Sequence, residues 1–200
     1  MFAAFLSLAM AAQAAPSDEM PSRSAPGAVL ARVAACGVKR REVHIRADDT
    51  LQEAVVDIRL ATTPSDTQLT CLAQASAETY WFLVFDAATQ ARFEPLYSRV
   101  NEAVSLARAQ AWVAAHGLAS RVPHHDVGRD DRAATAARIE ALCGAPSGSF
   151  HDLFLPDPTK PPVIPRVSDE TWLCVLNVAA VAGLNMGLIG NEAAAPEPPR

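Results

Sequence analysis

An α+β fold follows from three features of the sequence. Two adjoining stretches alternate apolar and polar residues with period two, several longer stretches carry apolar residues at helical spacing, and four cysteines lie far apart. Together they predict a small mixed or antiparallel sheet of three to four strands with four helices packed mainly on one face. The 200 residues are enough for one domain, half of them are hydrophobic and a fifth are charged, which excludes a disordered polyelectrolyte. With 17 basic against 22 acidic residues the formal net charge is −5, so the chain lacks the basic footprint of a nucleic-acid binder.

The first strand is expected at 42–48, where Val43, Ile45 and Ala47 share one face and His44, Arg46 and Asp48 the other. A second is expected at 54–60, with Ala54, Val56, Ile58 and Leu60 opposite Val55, Asp57 and Arg59. The polar run Asp48-Asp49-Thr50 between them makes the pair an antiparallel hairpin, with the apolar phases of both strands turned to the core. Ser65 and Gln68 fit a capping box that opens a helix over 65–79. Tyr80 to Phe85 is apolar on both faces and predicts a covered central strand at 80–86.

Phe93, Leu96, Val100, Val104, Ala107, Ala111 and Ala114 recur every three or four residues, a long helix over 93–116 with Pro95 in its first turn and Gly117 as its stop. Asp130 and Asp131 favour the start of another helix at 129–143, ending before Gly144. Residues 145–168 hold six prolines without periodicity and predict an irregular crossing. The last helix is expected at 168–182, capped by Ser168 or Asp169, with a candidate strand at 184–189 and a disordered tail at 192–200.

Residues 1–14 form an uncharged apolar run that closes on Ala12-Gln13-Ala14, the pattern of a cleaved signal peptide, although a basic start is missing. Residues 15–34, with prolines at 16, 21 and 26, predict a flexible arm ahead of a single disulfide-stapled domain at 35–191. An even set of cysteines fits an exported chain, periplasmic or secreted, and a closed set of disulfides. Cys36, Cys71, Cys143 and Cys174 are separated by 35, 72 and 31 residues, without the short clips that zinc sites use. Of the three connectivities, Cys36 with Cys71 and Cys143 with Cys174 is preferred, because each closes a loop of about thirty residues between neighbouring elements.

Trp172 to Gly190 is a run of 19 residues without a charge, long enough to span a bilayer. Asn177 and Asn185 inside it, its glycines and the absence of basic residues after it favour a buried helix over a membrane anchor.

Candidate chemistry is sparse. His124-His125-Asp126 offers two imidazoles and a carboxylate, but adjacent loop residues need a distant third ligand to hold a metal. The pairs Asp48-Asp49 and Asp130-Asp131 fit turns and helix starts better than an acid–base pair across a substrate. The strand phases place His44, Arg46, Asp57 and Arg59 on one face of the hairpin, where two guanidinium forks suit a small anionic ligand. A sheet face laced by cross-strand ion pairs is the competing reading of the same four. The sequence therefore points to an exported, non-catalytic binding or envelope-associated module without a metal or cofactor, whose partner is an envelope protein or a small anion. The alternatives are an extracytoplasmic hydrolase and a membrane-anchored subunit using 172–190.

Overall fold

The computed structural model describes residues 22–157, 159–184 and 186. The expected leader at 1–14, the first part of the arm and the tail at 192–200 lie outside them.

The architecture is α+β, a three-stranded mixed sheet with helices. Strand β1 (Val43–Asp48) pairs antiparallel with β2 (Glu53–Ile58), in a register that sets Val43 opposite Ile58, His44 opposite Asp57 and Arg46 opposite Val55. The tight turn forms because Asp48 Oδ1 accepts from the amides of Thr50 and Leu51. Helix α2 (Asp66–Thr79) crosses over, and β3 (Leu83–Val84) then pairs parallel to β2. Strand β2 is therefore central and β1 lies on an edge.

That order corrects the burial expected of the hairpin. Strand β2 is buried on both faces from Val55 to Ile58, whereas β1 is buried only at Val43, and Ile45 and Ala47 are exposed. A helix layer narrower than the sheet reaches β1 only at its start, so alternation alone overstates the core. The third strand is shorter than the expected 80–86, because Tyr80 closes α2 in the left-handed conformation and Asp86 already caps the following helix.

Residues 26–35 correct the arm: they form α1 (Pro26–Ala35), with Pro26 in the first turn, where its missing amide proton costs nothing. Val29 and Val33, one turn apart, are fully buried, and the Cys36–Cys71 disulfide ties the helix end to α2. Ser65 Oγ accepts from the Gln68 amide as a cap should, but the Gln68 side chain donates to the Cys36 carbonyl at 3.2 Å instead of completing the box.

Helix α3 (Ala87–Ala115) is 29 residues long and starts a turn and a half before the sequence predicts. Asp86 accounts for this by accepting from both the amide and the hydroxyl of Thr89, so Pro95 falls well inside the helix and not in its first turn. Helix α4 (Arg132–Leu142) starts after its Asp131 cap, α5 (His151–Phe154) is a single turn in the proline-rich crossing, and α6 (Asp169–Ala182) runs from a Ser168 cap to left-handed Gly183. Of the candidate strand at 184–189 only Leu184 and Met186 are described, and neither is in a strand. No helix among the described residues is long and apolar enough to cross a membrane.

Two hydrophobic clusters form among the described residues. One gathers Val29, Val33, Val56, Ile58, Leu69, Leu72, Trp81 and Phe93 from α1, the sheet, α2 and the start of α3. The other gathers Trp112, Ile139, Phe150, Phe154, Val175 and Val178 from the end of α3 and from α4 to α6. Cys36–Cys71 joins elements of the first and Cys143–Cys174 elements of the second, which is the preferred connectivity.

Candidate functional site

The structure brings three of the four hairpin residues into contact. Asp57, only 8% exposed on the central strand, lies 3.4 Å from Arg46 Nε and 3.2 Å from an Arg59 terminal nitrogen. Arg46 also donates to Asp48 at 2.8 Å, and this bond, with the neighbouring carboxylates, raises the pKa of its guanidinium. Asp48 is held below the usual aspartate range, first by the Leu51 amide and then by Arg46. His44 is exposed opposite Asp57 in the ladder.

The two guanidiniums thus face two carboxylates and the face is charge-balanced. It is not wholly polar either, since Val55, across from Arg46, is fully buried. Arg59, with a side chain 78% exposed, keeps much of its fork in water. Arg59→Ala should change stability by less than about 0.5 kcal/mol. Asp57→Ala should cost distinctly more, because it leaves two guanidiniums against a buried position. Urea titration of both variants checks the ranking, and equal losses would show that Asp57 organises nothing.

The His124-His125-Asp126 run diverges. His124 Nε2 sits 2.9 Å from Asp126 on the surface, whereas His125 turns inward with Nδ1 3.3 Å from the hydroxyl of buried Thr135. Asp131 caps α4 and Asp130 accepts from the Asp126 amide. No group of three metal-ligating side chains occurs among the described residues.

A second surface is built from residues far apart in sequence. Arg23, Gln52, Glu53, Tyr80 and Phe82 line a shallow, widely open groove beside the hairpin turn. Gln52 and Tyr80, with φ of 53° and 57°, are the non-glycine residues of positive φ among the described residues, and both line it. Each holds a conformation that costs a side-chain-bearing residue roughly 1–2 kcal/mol. Glycine would end α2 more cheaply than Tyr80 does.

The groove is held from behind. Arg23 bonds Glu53, donates to the Tyr80 carbonyl and lies 4.6 Å above the Trp81 ring, whose Nε1 donates to the Ser24 carbonyl. From α3, Arg108 stacks 4.4 Å over the Tyr80 ring, bonds its hydroxyl and donates to the last carbonyls of α2. Trp81 is buried beneath, while Tyr80 is 36% and Phe82 44% exposed. Sequence reading missed this site because Tyr80-Trp81-Phe82 reads as a covered strand. Three consecutive aromatics directly after a helix that lacks a glycine stop are the signal it contained.

Comparison with protein-family models, curated proteins and solved structures finds no match. What fold and surface define is a two-disulfide α+β chain with a preorganised aromatic groove.

Proposed function

We propose that the protein is an exported, non-catalytic binding module, and that the groove of Arg23, Gln52, Glu53, Tyr80 and Phe82 is its ligand surface. The observation that carries this reading is the convergence of Gln52 and Tyr80, both at positive φ, on one groove. Backbone strain retained at two bulky residues needs an offsetting gain, and such residues cluster at binding sites. The two disulfides suit an oxidising, extracytoplasmic setting. The exposed rings, with Tyr80 backed by Arg108, supply contact area at little ordering cost.

A second reading, a small anion at Arg46 and Arg59, is favoured by the exposed fork of Arg59 held in place by Asp57. Both are tested with the oxidised protein immobilised in an envelope extract, beside Phe82→Ala, Gln52→Gly and Arg59→Ala. For the groove, Gln52→Gly should gain up to about 1 kcal/mol of stability by relieving its backbone, yet both groove variants should lose bound material that Arg59→Ala retains. Loss only in Arg59→Ala moves the site to the sheet face. Equal recovery by all four proteins, or none by any, refutes the groove.

A further inference from the structure

We infer that the groove takes a neutral saccharide chain; this rests on the groove being the ligand surface. Its lining consists of two exposed aromatic rings and three planar polar groups, the Gln52 amide, the Glu53 carboxylate and the Arg23 guanidinium. Arg23 and Glu53 pair with each other, so the lining carries no net charge to select an anion or a cation. A pyranose matches such a lining on both counts. Its axial C–H face is apolar and packs on an aromatic ring, and its hydroxyls both donate and accept, so amide, carboxylate and guanidinium each find a partner.

Other occupants fit less well. A proline-rich segment offers carbonyl acceptors but few donors, so it would leave the Gln52 amide oxygen, and the Glu53 oxygen that Arg23 does not bond, covered without a donor. An added β-strand needs a long edge, and β3 beside the groove is two residues long. A small apolar ligand needs a cavity that encloses most of its surface, whereas this groove is open. The Tyr80 ring is also held before any ligand arrives, by Arg108, and the backbone of Phe82 by the Val56 amide, which donates to the Phe82 carbonyl at 2.9 Å.

The test is isothermal titration of the oxidised protein with chitohexaose and with cellohexaose, beside polygalacturonate and decaproline. The expected result is saturable binding of at least one neutral hexasaccharide, little changed by added salt because no net charge is paired. Phe82→Ala and Gln52→Gly should each weaken it by roughly tenfold or more, about 1.4 kcal/mol, and circular dichroism should show both variants folded. Absence of binding by both hexasaccharides, binding indifferent to Phe82→Ala, or preference for polygalacturonate or decaproline overturns the inference. If envelope material still distinguishes Phe82→Ala from the parent while neither sugar binds, the saccharide assignment fails and the groove remains the ligand surface.

Discussion

Phe150→Ala should remove about 3–5 kcal/mol of stability, the range for truncating a buried phenylalanine. Phe150 is fully buried, meets the Trp172 ring edge-on at 4.8 Å and lies 6.4 Å from the Phe154 ring. Little around it can collapse into the void, because its own amide is bonded to Glu140 Oε1 at 2.8 Å and the Gly148 amide to Oε2 of the same buried carboxylate. A domain of ordinary stability would lose a third or more of its margin. Chemical denaturation of the oxidised protein measures it, and a loss below about 1 kcal/mol would mean that the site relaxes around alanine.

Replacing Cys143 and Cys174 together by serine should cost about 3–4 kcal/mol on chain-entropy grounds for a loop of this length. The enclosed stretch includes the proline-rich crossing, where Val163 and Ile164 are exposed, so few core contacts would replace the covalent tie. Outside the disulfide its first half is anchored by buried Phe150, Leu153 and Phe154 and by the Gly148 and Phe150 amides on Glu140, whereas the second half has the bond from the Val163 amide to Asp152. Differential scanning calorimetry of the double variant beside the parent gives the value; equal melting temperatures would show that packing alone holds the segment.

Local chemistry was legible and assembly was not. Ser65 and Ser168 announce helices in sequence and cap them in the structure, each accepting from the amide three residues on. The phase that puts Arg46, Asp57 and Arg59 together is likewise local, since a one-residue slip would turn every side chain over. Which hairpin strand is central is decided by β3, about 25 residues after β2, and no alternation reveals that. Helix α1 buries two valines in ten residues, too little periodicity to outweigh the prolines before it. The groove joins positions 23, 52, 53, 80 and 82, so only the crossover of α2 makes it a site.

The edge position of β1 has a consequence for self-association. In its ladder with β2 the backbone groups of Val43, Ile45 and Ala47 point away from the partner strand, since the Arg59 amide bonds the Glu42 carbonyl and the pattern alternates from there. An open edge of this kind is a template on which a second copy can build a continuous sheet. Here the Val43 carbonyl accepts from Arg40 and the Ala47 carbonyl from Arg46, so two guanidiniums occupy acceptors that an incoming strand would need. Arg46 thus covers one acceptor of the open edge while it pairs with Asp57, so a single guanidinium serves both the face of the sheet and its rim.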